Sequence, residues 1–336
     1  MNKLLAKMGL GEKMSKNFLA ILIVAFSGAI IYGLPYFRFD YYDVYLETYH
    51  LTNVQMGVFG SVLGVFGMIS YLFGGIVADR FSTRTILTVS LLGTGIGGLV
   101  HLLPLNFPAL VCLYAFWGVS SLFAFWPACV KAVRILSGSG DQGKAFGFFE
   151  GGRGVAAALM AMAAVVAFRI GAGQMEDQAQ GMKYVIVFYS VLTILMGVLS
   201  FLTVKDDKIE ESERISFQGI GEVLKLPAVW IISFVTFCNY VFTLSLYYFT
   251  PYATGILGAS VTFTATLAAI KRWFSLFGNV GGGYITDKVG TGKMLLLSFL
   301  AMAAGTLGIL LLPTNSGSIM AFTVLFIVIY IFYNVN

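Results

Sequence analysis

Apolar runs of about 20 residues recur along nearly the whole of this chain, each divided from the next by a short polar segment. A helix of that length crosses roughly 30 Å of hydrocarbon. In lipid, every backbone N–H and C=O must be satisfied within a helix or a closed barrel, and none of these runs alternates as a barrel strand does. The chain is therefore read as an all-α integral membrane protein. Ten spans are expected: 17–37, 54–77, 85–104, 108–131, 145–168, 184–204, 228–250, 261–286, 293–312 and 318–336. Composition agrees, since 58% of the 336 residues are hydrophobic and 11% charged, against roughly 25% charged in a soluble domain. The first run is longer than a signal-peptide core and lacks a small-residue cleavage site, so it is expected to stay in the protein.

Lys and Arg in the short loops set orientation. With the N-terminus inside, the cytoplasmic face collects Lys3, Lys7, Lys13, Lys16, Arg80, Arg84, Lys131, Arg134, Lys144, Lys205, Lys208, Arg214, Lys225, Lys288 and Lys293. The other face keeps Arg38, Arg169 and Lys183. The net charge of +5 is thus an inner-face bias and not a nucleic-acid footprint. Cys112, Cys129 and Cys238 fall inside expected spans without metal or disulfide spacing, and read as small packing residues. His50 and His101 fall near the outer surface, with no carboxylate or cysteine neighbours to make a metal site. No phosphate-cradling loop and no nucleophile with its base occurs, so no cofactor, ATP-driven step or enzymatic chemistry is expected.

The chain echoes itself. A polar linker, 205–227, separates an N-terminal six-helix half, 1–204, from a four-helix remainder, 228–336. GGIVADRFSTR at 74–84 joins spans two and three, and GGYITDKVGTGK at 282–293 joins spans eight and nine. Asp79 and Asp287 are 208 residues apart, as are Gly75 and Gly283. Parallel repeats of this kind belong to secondary transporters. At these residues the chain resembles the major facilitator superfamily, whose corresponding loop typically reads G-x-L-A-D-R/K-x-G-R/K-R/K. Gly75, Ala78, Asp79, Arg80 and Arg84 match, while Val77, Ser82 and Thr83 depart. The second copy keeps Gly283, Asp287, Lys288, Gly290 and Lys293 with altered spacing. The resemblance implies two six-helix halves that rock around a central site. The family has twelve spans and this sequence ends inside its tenth, so the last two are expected to be missing.

Three cations remain that the loops do not use: Arg153, Lys271 and Arg272. Arg272 lies eleven residues into its span, roughly 16 Å at 1.5 Å per residue and close to the bilayer midplane. A cation at that depth costs about 2.5–3.5 kcal/mol or more, which argues against a bystander. Neighbouring residues are about 100° apart on a helix, so one of Lys271 and Arg272 is expected to face the cavity and the other a neighbouring helix. Arg272 is the choice for the cavity, its planar fork suiting a carboxylate, sulfonate or phosphate, although Lys271 could equally fill the role. Buried acids to neutralise the pair are scarce. Glu150 is the one carboxylate expected below the interface, three residues before Arg153 and able to pair with it on one helix face. Arg153 would be a second anion ligand, one cation from each half, or else Glu150 and Arg153 form a local ion pair near an inner gate.

In span four, AFWPACVKAVR brings Trp126 and Pro127, which would bend the helix and line the cavity, together with Lys131 and Arg134 near the inner interface as gate or orientation residues. This segment and FFEGGRG resemble a bacterial, loosely organic-anion branch of the superfamily. Spans one and seven, which line the cavity in that family, carry Tyr32, Tyr36, Asn239 and Tyr240 as possible solute contacts. The resemblance makes Asp79, Arg80, Arg84, Asp287 and Lys288 conformational latch residues, Asp79 without the span-eleven partner it has in the family. The expectation is a secondary transporter of the bacterial inner membrane, working as a monomer on a small organic or inorganic anion. Its coupling ion, proton, sodium or counter-anion, stays open. The alternatives are an inactive truncated carrier, a carrier of a neutral solute such as a sugar, and a transporter-like sensor.

Overall fold

The computed structural model describes residues 11–138, 141–173, 177–205 and 220–334, so most of the 205–227 linker lies outside the described residues. Among the described residues there are helices and no strands. Nine helical stretches there are long and apolar enough to cross a membrane. The expected span 261–286 falls within one continuous helix, Val261–Val289.

Turn chemistry sets where the helices start. Thr52 and Gln55 form a reciprocal capping box that opens the second span. Ser82, Asn106 and Asp177 each accept from the backbone N–H three residues on, satisfying donors that a helix start leaves open. In order, the first six spans are built on α1 (Glu12–Ile30), α2 (Tyr42–Tyr49, a short helix between spans), α3 (Asn53–Arg80), α4 (Thr83–Val100), α5 (Phe107–Trp117), α6 (Phe125–Ser137), α7 (Gln142–Ala172) and α8 (Gln178–Thr203). The first span continues past α1 through a helical turn at Gly33–Tyr36 and a 3-10 turn at Phe37–Phe39. The fourth span is broken by a π turn at Gly118–Leu122 and by Ala124, whose backbone is not helical. Pro127 therefore sits in the first turn of α6, where its missing N–H costs nothing, and the bend expected at it falls a few residues earlier.

The chain divides into two compact units, one of residues 1–38 and 44–215, the other of 39–43 and 216–336. In the first, α1 lies against α6, α7 and α8, and α4 packs along α8. Its core includes Trp117, Tyr114, Phe125, Phe149 and Phe59, all fully buried. The second unit holds α9 (Pro227–Leu246), α10 (Phe249–Gly255), α11 (Val261–Val289), α12 (Thr291–Leu310) and α13 (Ile319–Tyr333). There α13 packs against α11 and α12 around Phe322, Phe326, Ile329, Met302 and Ile309. The internal repeat makes α1 and α9 counterparts, yet the apolar window of the first span is 61% buried and that of α9 with α10 only 6%.

Candidate functional site

In the first unit, Trp126 and Glu150 both meet Arg153. It lies eleven residues into α7, roughly 16 Å along that helix and so deep within the span. Helical spacing puts Glu150 on the same face, and its Oε2 accepts from Arg153 Nε at 3.0 Å and Nη2 at 2.6 Å. The guanidinium lies over the ring of Trp126, 5.2 Å from its centroid, and that ring also meets Phe149. Gly28 of α1 lies beside it, where a Cβ would stand in ordinary contact with Arg153 Cδ at 3.4 Å. Arg153 is about a third exposed and Glu150 about half. Nη1 of Arg153 makes no hydrogen bond among the described residues, which leaves an edge of the fork open. A flat cation stacked on an indole and held from one side is a ready half-site for an anion.

In the second unit, Lys271 is buried and, against the expected scarcity of buried acids, has a carboxylate beside it. Its Nζ stands 3.8 Å from Asp40 Oδ1, with side chains 8% and 11% exposed. The ammonium also lies 5.7 Å from the ring centroids of Phe326 and Tyr330 on α13. Asp40 follows the first span directly, where hydropathy assigns it to a loop, and 231 positions separate it from Lys271. No periodic signal connects them. The stretch carrying Asp40 is fixed on both sides: Phe39 stacks on Tyr247 at 4.0 Å, Tyr42 meets Tyr248 edge-on at 6.2 Å, and Asp43 accepts from Thr254 Oγ1. The side chain of Arg272 lies outside the described residues. Asn239 on α9 has a buried Oδ1 with no hydrogen-bond partner among the described residues, while Tyr240 is 60% exposed.

The family model described as Major Facilitator Superfamily matches residues 13–335. The chain belongs to that superfamily. It is 28% identical over 312 residues to the inner membrane protein YqcE of Escherichia coli, covering 90% of this chain and 72% of the relative. It is 26% identical to the probable nitrate/nitrite antiporter NarK1 of Thermus thermophilus, covering 82% and 65%. In fold it is similar to a bacterial homologue of the human lysosomal transporter Spinster in an inward-facing state, with TM-score 0.74, 17% identity, and 97% and 74% of the two chains covered. Membership makes this a membrane transporter working by alternating access, in a family of carriers and not of enzymes.

Among the residues that the superfamily resemblance assigns to a latch, Asp79 is half-buried and Arg80 exposed at the end of α3. Lys131 reaches from α6 to the carbonyl of Ala78 at 3.4 Å, a cation at a helix C-terminus where the dipole favours it. Arg84 lies over the ring of Phe201 at 4.8 Å, and Arg134 is exposed. Asp287 and Lys288 fall in the last turns of α11 with side chains outside the described residues. Tyr32 and Tyr36 are half-buried and meet edge-on at 6.3 Å.

A further cluster in this carrier was not anticipated. His101, expected near the surface, is fully buried just past the end of α4. Tyr45 reaches its Nε2 at 2.7 Å and Tyr49 its Nδ1 at 3.0 Å, while Trp117 stacks on the ring at 5.6 Å. The hydroxyl of Tyr114 donates to that of Tyr45 at 3.3 Å, and the guanidinium of the buried Arg38 lies over the Tyr114 ring at 4.7 Å. Burial drives the imidazole pKa down to about 3, so it is neutral at physiological pH. Its hydrogen-bond partners, Tyr45 and Tyr49, lie more than fifty residues away, out of reach of any local pattern.

Proposed function

We propose that this chain is a secondary active transporter whose solute is a small anion, with Arg153 supplying charge recognition. The observation that carries the reading is Arg153. A guanidinium within a span, stacked on Trp126 and held by Glu150 from one side, has an Nη1 that makes no hydrogen bond among the described residues and can be offered to an anion. Trp126 and the two tyrosines of the first span, Tyr32 and Tyr36, would set the fit. The name of the Thermus relative, a probable nitrate/nitrite antiporter, agrees with a small anion. The Lys and Arg bias of the loops supports a cytoplasmic N-terminus in a bacterial inner membrane.

The test is equilibrium binding to the purified protein, titrating nitrate, methanesulfonate, acetate and inorganic phosphate against glucose and xylose. Saturable binding of an anion, weakened at least about tenfold by Arg153→Ala, is expected. Binding of neutral sugars alone, indifferent to Arg153→Ala, contradicts the reading.

A second reading rests on the exposure of α9. A helix whose counterpart is 61% buried but which is itself 6% buried leaves its unit open, and an open unit would bind solute without moving it. Uptake into liposomes by this polypeptide alone distinguishes the two.

A further inference from the structure

An anion that docks on Arg153 meets the charge of Glu150 at once. Oε2 of Glu150 accepts from both Nε and Nη2 of Arg153, at 3.0 Å and 2.6 Å, so a single carboxylate oxygen takes up one side of the guanidinium. The Nη1 side is left for one oxyanion. Oε1 of Glu150, bonded to the same carbon as Oε2, accepts no hydrogen bond among the described residues. The two side chains are 36% and 47% exposed, and both can be reached from outside. Together they present a cationic donor edge and an anionic acceptor side by side.

The space next to the acceptor is open. At Gly147, which shares the Glu150 face one turn earlier on α7, and at Gly151, its neighbour in sequence, an added Cβ would meet no heavy atom within 4 Å. The guanidinium itself is backed by the ring of Trp126, which in turn meets Phe149. Room for a ligand therefore lies on the carboxylate side of the pair.

A bare oxyanion would satisfy Nη1 but stand close to the carboxylate, a like-charge contact that subtracts from its binding. A hydroxyl on a carbon beside the anionic group reverses that contact. It donates to Oε1 in a charge-assisted hydrogen bond, the stronger kind, while the oxyanion keeps the guanidinium. We propose that Glu150 sets the specificity of this carrier, selecting anions that bear a hydroxyl near the charge, a hydroxycarboxylate or hydroxysulfonate, over bare ions of the same charge. The inference rests on the anion reading above and adds the second group that the solute must carry.

The experiment titrates the purified full chain at neutral pH with ethanesulfonate, 2-hydroxyethanesulfonate and 2-aminoethanesulfonate, which share a skeleton, and with acetate against glycolate. In wild type, the hydroxylated ligand of each pair is expected to bind about tenfold tighter than its parent, the worth of one charge-assisted hydrogen bond. In Glu150→Gln, ethanesulfonate should bind tighter than to wild type, because the repelling charge is gone, while the advantage of the hydroxyl falls to about twofold. A merely structural role for Glu150 would instead weaken both ligands together. Glu150→Ala, which removes the acceptor outright, serves if Glu150→Gln does not fold. Equal affinity for parent and hydroxylated ligands in wild type, with both lost in Arg153→Ala, overturns the inference and leaves the anion reading standing. A hydroxyl preference undiminished in both Glu150 variants overturns it too. Tighter binding of 2-aminoethanesulfonate than of 2-hydroxyethanesulfonate would make this a site for zwitterions and likewise overturn it. Binding of none of these ligands defeats the anion reading, and this inference with it.

Discussion

Gly74 of α3 lies directly against the carbonyl of Phe123, so that a Cβ added there would overlap the oxygen and stand 3.0 Å from the carbonyl carbon. The break after the π turn at Gly118–Leu122 turns that carbonyl toward α3. Backbone cannot yield as a side-chain tip can, so Gly74→Ala should cost about 1–3 kcal/mol through overpacking. A Cβ at Gly64, on the same helix, would meet nothing within 4 Å. Gly64→Ala should instead gain up to about 1 kcal/mol from lower backbone entropy in the unfolded chain. Melting temperatures of the two variants in one detergent should move in opposite directions.

The neutral imidazole of His101 makes a pH prediction with a definite sign. Its folded pKa, about 3, lies below the unfolded value of 6.5, so below pH 6.5 the unfolded chain binds more protons. Stability from this group is fully present above that pH and is lost as pH falls, by about 1.4 kcal/mol per unit. Thermal melts between pH 7 and pH 4 should show a steep decline in wild type and a shallower one in His101→Gln. Equal slopes would mean that this imidazole is charged in the folded protein.

Hydropathy alone disclosed the spans, because the bilayer forces helices of nearly uniform length on any chain that crosses it. The pairing of Glu150 with Arg153 was equally legible, since three residues on a helix is a contact. Asp40 and Lys271 were not: 231 positions separate them, and the acid lies beyond the end of an apolar run, where a charge looks ordinary. The same holds for His101, whose hydroxyl partners come from α2. Sequence pattern reports what a helix does along its own axis. Which charges meet across helices depends on tertiary packing, so counting the acids within apolar runs overlooks one such as Asp40 that lies just past the end of a span.

Arg153→Lys is the substitution that separates shape from charge. A lysine keeps the cation but cannot lie flat on Trp126 while donating twice to Glu150. Anion binding should weaken about tenfold while folding is little changed, whereas Trp126→Phe, which keeps an aromatic face, should cost less. Titration calorimetry with nitrate resolves the order. If lysine binds as well as arginine, point charge alone would suffice and the stacked geometry would be incidental.

Asn239 carries the sharpest conflict between stability and use. Its Oδ1 is buried on α9 with no hydrogen-bond partner among the described residues, a deficit of about 1–3 kcal/mol in a native structure. Its backbone carbonyl is already engaged by Thr243 Oγ1 at 2.9 Å, so the amide side chain is not needed to hold the helix. Replacing it with leucine, close in volume and without polar atoms, should raise the melting temperature. If the amide is kept for a solute, the same Asn239→Leu variant should lose binding affinity by about tenfold, the value of one hydrogen bond in a dry site. A stabilised variant with undiminished affinity would remove Asn239 from the solute site.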